Sequence, residues 1–361
     1  HAHLYSARHG ARFRQQGVRL VLIAPGPFWY SGLATGMLGG FYPPEQDQID
    51  MATLMRAAAG EFVQGKAARI DPDARRIVLE DGREIAYDAL SINVGSGAIP
   101  LPGADMAANV YPLKPLECLA RLRRDLEAAG PDPRRLVVVG GGTSGSEIAM
   151  NLRALLDRLG AKQSEVRLLT AGNRLFEQFT PAAARKAAGV LAARGVNVSL
   201  RARVTRVGDS VVTTETGEQF AFDFLVNAAG VQPPPLLRAS GLATDASGAL
   251  QVNRYLQALD QPGVFGGGDC VAFEERPLAK IGVYAVREAP ILCHNLLATL
   301  KCDGKPALRP FKPQHHFLQI LNVGDGTAFA VRRGLFWHGR AAFWLKDFLD
   351  RRFLAASGQG G

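Results

Sequence analysis

The stretch Arg135–Leu152, RLVVVGGGTSGSEIAMNL, decides the fold. It opens with a short β-branched run typical of a buried strand, and helical apolar spacing begins directly after the glycines. Gly140, Gly142 and Gly145 form the pattern G-x-G-x-x-G between the two elements. Glycines there let the backbone approach a pyrophosphate, whose charge is stabilised at the helix N-terminus. The stretch therefore predicts a dinucleotide site, although the same glycines would also permit close packing of helix on strand.

A second informative feature is an internal repeat. The segment DGREIAYDALSINVGS, residues 81–96, is echoed by TGEQFAFDFLVNAAGV, residues 216–231. Each copy reads as a strand, a tight turn at D-G or T-G, and a second strand that ends in a glycine-bearing loop. The equivalent positions have the same offsets in both copies, and they are Gly82, Asp88 and Gly95 in the first copy and Gly217, Asp223 and Gly230 in the second.

Each copy also has a helix and a strand before it. In the first copy we expect a helix over residues 1–16 and a strand over Val18–Ala24, and in the second a helix over Ser144–Leu159 and a strand over Val166–Thr170. The second copy has the strand and glycine loop of the fingerprint before its helix. By analogy we expect a strand and a Gly-rich loop upstream of His1, and hence two dinucleotide-binding units.

A third nucleotide signal follows the second copy. Val264 and Phe265 read as a buried strand that runs into three glycines and Asp269, within GVFGGGDC. A carboxylate at the carboxyl end of a parallel strand is well placed to accept hydrogen bonds from ligand hydroxyls. The alternative is a turn aspartate that caps the next segment.

Composition narrows the class of protein. The chain has 361 residues, 47% of them hydrophobic, and a net charge of +9. Its basic residues form no tract with interleaved aromatics, so we expect no nucleic-acid partner. No group of metal ligands stands out, because H-A-H at the start lacks a carboxylate or cysteine nearby, so we expect no metal. The four cysteines form no paired motif, which fits a reducing cytosol and predicts a cytoplasmic protein.

Several motifs together carry a family resemblance, and they are G-G-G-T-S-G-S-E at Gly140–Glu147, A-A-G-V-Q-P at Ala228–Pro233, G-V-F-G-G-G-D-C at Gly263–Cys270 and K-I-G-V-Y-A-V-R-E-A at Lys280–Ala289. With them the chain resembles the FAD-dependent pyridine nucleotide-disulfide oxidoreductase superfamily, and within it the type II NADH:quinone dehydrogenases. F-W-Y-S-G-L-A-T-G at Phe28–Gly36, with the opening H-A-H-L, is also similar to the flavoprotein domain fused to selenide, water dikinase.

The resemblance implies an FAD bound by the first unit. Asp269 would hold the ribityl hydroxyls, Gly95 would pass near the flavin, and the N–H groups at the start of a helix over Gly282–Ala289 would face the flavin N1/O2 edge. A helix N-terminus favours the negative charge of a reduced flavin. A buried amphipathic helix with no ligand at its end is the alternative. The predicted FAD-binding residues are Tyr30, Ser31, Gly32, Gly95, Gly268, Asp269, Gly282, Val283 and Tyr284.

The second unit is expected to bind NAD(P). In such folds the strand after the fingerprint helix usually ends in an acid that binds the ribose diol. Here it ends at Thr170, with Arg174 four residues on, which favours NADPH or a degenerate site that binds no nicotinamide. Glu147 would contact the nicotinamide ribose or would be a plain surface glutamate. The predicted NAD(P)-binding residues are Gly140, Gly142, Thr143, Ser144, Gly145, Glu147, Thr170, Arg174 and Gly230.

The electron acceptor is expected to be a small molecule such as a quinone. Cys270, Cys293 and Cys302 are not paired in sequence, so a dithiol relay is disfavoured and buried structural thiols are expected. Residues 334–354 read as a helix with aromatic side chains on one face and most charges elsewhere. That pattern suits peripheral contact with the cytoplasmic membrane face. The same face is compatible with docking on the core or with a homodimer.

These features predict an α/β protein with two Rossmann-like dinucleotide-binding domains, one for FAD and one for NAD(P), in a glutathione-reductase-like arrangement with a small C-terminal cap. We expect the FAD domain to comprise residues 1–113 and 241–311, the NAD(P) domain residues 114–240, and the C-terminal domain residues 312–361. The predicted function is transfer of electrons from NAD(P)H through flavin to a quinone-like acceptor, with no catalytic side chain identified. The alternatives are a flavin-containing redox sensor or electron-transfer protein, and a sulfide:quinone-type oxidoreductase.

Overall fold

The fingerprint strand is the centre of a parallel sheet. The computed structural model describes residues 1–301 and 304–357. In sheet order, the strands are Val110–Pro112, Phe224–Asn227, Arg135–Val139, Glu165–Leu169 and Val196–Ser199. All four pairings are parallel. Residues 136–139 are at most 5% exposed because Leu136 and Val138 pack against helices while Val137 and Val139 pack against the antiparallel meander of this unit, which is why this strand is a continuous apolar run.

Helices and a meander complete the second unit. The helices are Glu117–Ala129, Thr143–Arg158 and Pro181–Ala193. The last of them begins at a capping Thr180, whose Oγ1 accepts a hydrogen bond from Ala183 N at 3.4 Å. The meander is antiparallel and comprises the strands Val204–Val207, Val211–Thr214 and Gln219–Ala221.

The first unit also contains parallel strands, but they form two separate pairs. Val21–Ala24 pairs in parallel with Glu61–Gln64, and Leu90–Ile92 pairs in parallel with Val264–Gly266. A groove lined by both Val21–Ala24 and Leu90–Ile92 runs between the pairs and encloses about 2050 Å³. The expectation of an upstream strand and glycine loop, like the domain boundaries, stays a prediction.

The two copies of the repeat predicted from the sequence have matching structures. The first copy carries its own antiparallel meander, Ala67–Asp71, Arg76–Leu79 and Glu84–Ala86. The turns of the two meanders are closed by Gly82 and Gly217, with φ of +85° and +81°. A left-handed residue at the same place in both turns favours glycine there.

The helices of the first unit are Ala2–Arg8, Gly10–Arg14, Ser31–Leu38, Met51–Ala57 and Gly282–Leu300. The prediction of one helix over residues 1–16 is therefore wrong in detail. The helix breaks at His9, whose Nδ1 lies 2.8 Å from Tyr5 O. Gly10 follows because a side chain there would overlap the backbone of Ala58. The following strand begins at Val21, three residues later than predicted.

The C-terminal segment is a small sheet followed by a helix. The strands Gln319–Asn322, Ala328–Arg332 and Leu335–Gly339 are antiparallel, and the C-terminal helix is Arg340–Ala356. The prediction of helix from residue 334 is wrong for the first six residues. Arg333 and Gly334, with φ of +50° and +81°, make a hairpin turn, and Leu335–Gly339 then forms the last strand.

Shorter elements close the remaining connections, and they are the strands Phe28–Trp29, Gln48–Ile49, Gly97–Ala98, Val231–Gln232, Leu250–Val252 and Val271–Phe273, the helix Leu236–Ala239, and the 3₁₀ turns Pro44–Asp47, Ala104–Met106 and Gly268–Cys270. In residues 1–301 and 304–357 no helix is both long and apolar enough to cross a bilayer. The same ranges contain no cluster of three or more metal-ligating side chains.

Candidate functional site

The glycine loop of the second unit brings strand and helix very close together. Gly140 has φ of +127°, and a side chain there would overlap the carbonyl oxygen of Ala228. A side chain at Gly145 would overlap the carbonyl oxygen of Gly140. Two of the three fingerprint glycines are therefore required by packing alone, as the structural alternative anticipated.

Gly142 is different, because it faces open space. It is exposed, and a Cβ there would have no atom within 4 Å. The first bond of the following helix is donated by Ser146 N to Gly142 O at 3.1 Å. The backbone N–H groups of Thr143, Ser144 and Gly145 precede that bond and lie at the positive end of the helix. The loop thus fits a diphosphate approaching over Gly142, which packing does not explain.

The strand after the fingerprint helix ends beside this loop. Thr170 is buried, and its Oγ1 accepts a hydrogen bond from Gly172 N at 3.2 Å. Arg174 donates to Glu177 O at 2.8 Å and to Phe179 O at 3.2 Å. The structure therefore places both predicted residues in the correct loop but engages the Arg174 guanidinium with the loop itself. A contact between Arg174 and a 2′-phosphate stays a prediction.

Glu147 faces the C-terminal segment. Its Oε1 accepts a hydrogen bond from Asn322 N at 2.7 Å. Desolvation raises the pKa of Glu147, and the charge of Lys346 opposes that rise. Glu147 is therefore not a plain surface glutamate. Whether it also meets the nicotinamide ribose stays a prediction.

A buried polar cluster, Lys346, Asp350, Tyr30 and Asp47, lies where the first unit meets the C-terminal helix. Lys346 Nζ donates to Asp350 Oδ2 at 2.7 Å and to the carbonyl oxygen of Gly32. Tyr30 donates to Asp350 Oδ1 at 2.9 Å. Desolvation would lower the pKa of Lys346, but the carboxylates around it outweigh that effect and raise it. Sequence analysis predicted Tyr30 as a flavin contact and missed the rest of the cluster.

Asp47 is the unsatisfied member of this cluster. It is fully buried, and neither carboxylate oxygen has a hydrogen-bond partner within the part of the chain that the structure describes. Desolvation raises the pKa of Asp47 to about 8, against the attraction of Lys346. The folded protein therefore holds a proton on Asp47 at pH values where the unfolded chain has released it.

The substitution Asp47→Asn tests whether folding raises the pKa of Asp47. Because the pKa of Asp47 is raised on folding, its stabilising contribution is present below about pH 4 and is lost as the pH rises towards 8. We expect the free energy of unfolding to fall between pH 5 and pH 8.5 by at least about 1.4 kcal/mol more in the wild type than in the variant. Urea denaturation at both pH values measures this, with the exposed Asp209→Asn as control. An equal fall in the free energy of unfolding for Asp47→Asn and for wild type would contradict the raised pKa of Asp47.

Asp269 is the centre of the polar site in the first unit. Its Oδ2 accepts hydrogen bonds from Ser96 Oγ at 2.9 Å and from Lys114 Nζ, which also donates to Ser96 Oγ at 2.8 Å. Asp269 thus accepts from side-chain donors and is not merely a turn cap. Ser96 and Lys114 were not predicted, although Ser96 follows Gly95 and Lys114 is the first residue of the expected NAD(P) domain.

The other predicted flavin residues gather near Asp269 and around the start of the helix Gly282–Leu300. Ser31 Oγ lies 3.3 Å from His1 Nε2, and a Cβ on Gly282 would lie 3.6 Å from Ser31 Oγ. Gly268 N donates to the buried Glu288 at 2.6 Å. Tyr284 donates through its hydroxyl to Gln314 O and through its N–H to Ile281 O. Among the described residues the N–H groups of Gly282 and Val283, at the start of this helix, have no partner.

Gly95 and Gly230 lie at the ends of the two repeat copies, but their surroundings differ. Gly95 has φ of +69°, and a Cβ there would meet nothing within 4 Å, which leaves room for a ligand. Gly230 has φ of +149°, and a Cβ there would lie 3.0 Å from Ile99 Cδ1. Gly230 O also accepts a hydrogen bond from Ile99 N at 3.1 Å. Gly95 therefore fits a place beside the flavin better than Gly230 fits direct contact with NAD(P).

The described cysteines are not arranged as a redox pair. Cys118, Cys270 and Cys293 carry free thiols, and the last two are buried. Burial raises the pKa of Cys270 to about 11, so its thiolate is disfavoured. Cys302 lies outside the described residues. The arrangement agrees with structural thiols.

Comparison with known proteins gives the family. A family model described as pyridine nucleotide-disulphide oxidoreductase matches residues 5–291. Ferroptosis suppressor protein 1 from Taeniopygia guttata is 26% identical over 279 residues, which are 74% of this chain and 70% of that protein. Demethylphylloquinone reductase NdbB from Synechocystis sp. is 30% identical over 219 residues, 58% of this chain and 53% of that protein. An NADH dehydrogenase-like protein from Mycobacterium tuberculosis is 28% identical over 236 residues, 62% of this chain and 58% of that protein.

A solved structure extends the likeness of fold over almost the whole chain. The sulfide:quinone oxidoreductase from Aquifex aeolicus superposes with a TM-score of 0.80 at 19% identity, covering 99% of this chain and 89% of that one. The predicted α/β fold with two dinucleotide-binding domains is thereby confirmed. The chain belongs to the pyridine nucleotide-disulphide oxidoreductase family, whose members bind FAD and NAD(P)H.

Proposed function

We propose that this chain is an FAD-dependent oxidoreductase that takes electrons from NADH or NADPH and passes them to a quinone-like acceptor. When bound, FAD accepts a hydride from the nicotinamide and delivers electrons onward. The relatives named as a demethylphylloquinone reductase and as an NADH dehydrogenase-like protein support a quinone acceptor and a nicotinamide donor. Because the chain spans only about half to about 70% of its curated relatives, its own activity remains a proposal.

The observation that carries the proposal is that the second unit has an open glycine loop while the first has a polar site around Asp269. Gly142 leaves room for a diphosphate, and Asp269 accepts hydrogen bonds from Ser96 and Lys114. These side chains can bind hydroxyl groups and fix their orientation, while Gly282 and Val283 offer free N–H groups to an anion. The chain's own part is therefore binding and electrostatic positioning rather than proton transfer by a dedicated side chain.

The cysteines separate this proposal from thiol chemistry. A disulfide reductase, or a sulfide oxidase with cysteine-bound sulfur, needs a reactive thiolate. Cys270 is buried with its S–H directed at the carbonyl oxygens of Ile92 and Gly267, at 3.7 Å and 3.3 Å. That environment favours direct transfer of electrons to an organic acceptor, without a relay through cysteine.

Anaerobic reduction of purified protein tests the function. Flavin-loaded protein should be yellow, and stoichiometric NADH or NADPH should bleach it within the mixing time of a stopped-flow instrument or soon after. A soluble benzoquinone should then restore the colour and sustain turnover. Bleaching by dithionite but by neither nicotinamide would reject the proposed donor and favour a redox sensor. Reduction by nicotinamide without reoxidation by quinone would reject the acceptor.

The C-terminal helix supports contact with a membrane surface. It buries its ion pair, Lys346 with Asp350, and exposes Trp344, Phe348 and Leu349 with 62%, 58% and 43% of their surface accessible. Lys346 therefore lies away from the aromatic face, as the sequence pattern predicted, but on the side of the helix that packs against the protein. A helix that exposes aromatic side chains and carries Arg351 and Arg352 beside them suits an anionic lipid interface. We include peripheral attachment through this helix in the proposed function.

Vesicle binding measures that attachment. The double variant Trp344→Ser and Phe348→Ser is expected to bind vesicles of phosphatidylglycerol and phosphatidylcholine at least about tenfold more weakly than wild type, because two exposed aromatic anchors are lost. Flotation of flavin-loaded protein provides the measurement, and Met106→Ser, which removes a side chain 78% exposed in the 3₁₀ turn Ala104–Met106, is the control. Unchanged flotation with a loss of self-association in ultracentrifugation would instead identify the face as a homodimer contact.

A further inference from the structure

The loop after the second strand of the NAD(P) unit contains an acid that the sequence pattern did not identify. The Glu177 carboxylate lies directly over Gly172, where Oε1 takes the place that a side chain at 172 would need. The side chain is exposed, and within the described ranges its carboxylate has no hydrogen-bond or ion-pair partner. The Glu177 carboxylate therefore lies beside the carboxyl end of this strand, although the residue at the strand end itself is Thr170.

The Gly172 backbone beneath this carboxylate is fixed by its hydrogen bonds. Gly172 N donates to Thr170 Oγ1, and Gly172 O accepts a hydrogen bond from Arg201 N at 2.9 Å. The loop also touches the fingerprint, since a Cβ on Gly141 would lie 2.5 Å from Thr170 Oγ1. In a dinucleotide fold the adenosine ribose lies at this edge, one strand away from the diphosphate. Glu177 thus lies where the ribose hydroxyls would come.

Arg174 supports the acid instead of competing with it. Its two terminal nitrogens donate to the carbonyl oxygens of Glu177 and Phe179. These bonds close the loop segment that carries Glu177. A guanidinium held by two backbone carbonyls would have to leave both of them to reach a 2′-phosphate.

We infer that Glu177 selects the nicotinamide cofactor, by accepting hydrogen bonds from the adenosine ribose hydroxyls and repelling a 2′-phosphate. The donor of the reaction is then NADH. A carboxylate supplied from the loop takes the role that a strand-end acid has in other dinucleotide folds, and Arg174 is a positioning residue for it. The inference rests on the proposed function in so far as a nicotinamide dinucleotide binds this unit.

Binding of adenosine fragments tests the inference without any electron transfer. Flavin-loaded full chain is titrated by calorimetry with ADP-ribose and with 2′-phospho-ADP-ribose. We expect wild type to bind ADP-ribose at least about tenfold more tightly, because charged hydrogen bonds are lost and a repulsion is gained with the phosphate. In Glu177→Gln this ratio should fall to near one, and in Glu177→Arg it should invert. Glu218→Gln, an exposed acid of the same unit, should leave the ratio unchanged.

Three outcomes would overturn the inference: tighter binding of 2′-phospho-ADP-ribose by wild type, an unchanged ratio in Glu177→Gln, or binding of neither fragment. Arg174→Ala gives an independent check, since the inference requires weaker binding of ADP-ribose and a smaller preference over 2′-phospho-ADP-ribose, whereas a loss confined to 2′-phospho-ADP-ribose would assign the selectivity to Arg174. Failure of the proposed function has a different signature. In that case the fragments bind selectively but NADH does not bleach the flavin.

Discussion

Replacing Lys346 with methionine is expected to lower the free energy of unfolding by about 3–5 kcal/mol, the usual cost of breaking a buried ion pair. The side chains of Lys346 and Asp350 are only 13% and 12% exposed, so water cannot replace the lost partner. Lys346 also opposes the raised pKa of Glu147 and Asp47. Its removal therefore leaves Asp350 without its ion-pair partner and Glu147 without the charge that opposes its raised pKa.

Urea denaturation at pH 7 measures this loss, and the chain offers a matched control. Lys66 pairs with Glu80 at 2.7 Å with both side chains more than half exposed. Lys66→Met is therefore expected to change the free energy of unfolding by about 1 kcal/mol or less. A double variant, Lys346→Met with Asp350→Leu, should recover part of the lost stability because no unpaired charge remains at that position. Equal small effects of Lys346→Met and Lys66→Met would contradict a buried, energetically important pair.

The substitution Gly142→Ala is expected to weaken nicotinamide binding by about two orders of magnitude while leaving the protein folded. The residue has φ of −77° and ψ of −175°, which alanine adopts freely, and no protein atom lies within 4 Å of the added Cβ. The methyl group would nevertheless occupy the approach to the N–H groups of Thr143 and Ser144. Loss of two hydrogen bonds to a charged phosphate, at about 1.5–3 kcal/mol each, accounts for the expected factor.

Flavin bleaching at varied NADH or NADPH concentration gives the apparent affinity of Gly142→Ala, and thermal unfolding gives its stability. Gly189→Ala is the matched control, because it also adds a methyl group with no atom within 4 Å, on a helix of the same unit. It should leave the apparent affinity unchanged and, because alanine is the better helix former, raise the stability by about 1 kcal/mol or less. If Gly142→Ala bound the nicotinamide as wild type does, the diphosphate could not lie over this glycine.

The two-unit fold could be predicted because its signals are local. The glycine spacing at residues 140–145 and the turn glycines Gly82 and Gly217 each depend on backbone geometry within a few residues. Asp269 could be predicted for the same reason, from the glycine run beside it. The break of the first helix at His9 could not be predicted, because it follows from the close approach of Gly10 to Ala58, a residue 48 positions away in the chain.

The parts of the site that were missed depend on contacts between distant segments. Lys114 reaches Asp269 across 155 residues, and Tyr30 reaches Asp350 across 320. In the sequence Lys346 looks like one of several charges on the solvent side of an amphipathic helix. Only the packing of the C-terminal helix against residues 30–32 shows that this charge is buried. Glu177 was missed because the usual pattern places the acid at the strand end, whereas the loop brings it back over Gly172.

The groove between Val21–Ala24 and Leu90–Ile92 has a practical consequence. Each of these strands pairs on one side only within the described residues, so both present unpaired backbone groups to the same channel. An open strand edge is a template for pairing with another extended segment. An extended segment that entered this channel could therefore form backbone hydrogen bonds along both of its edges.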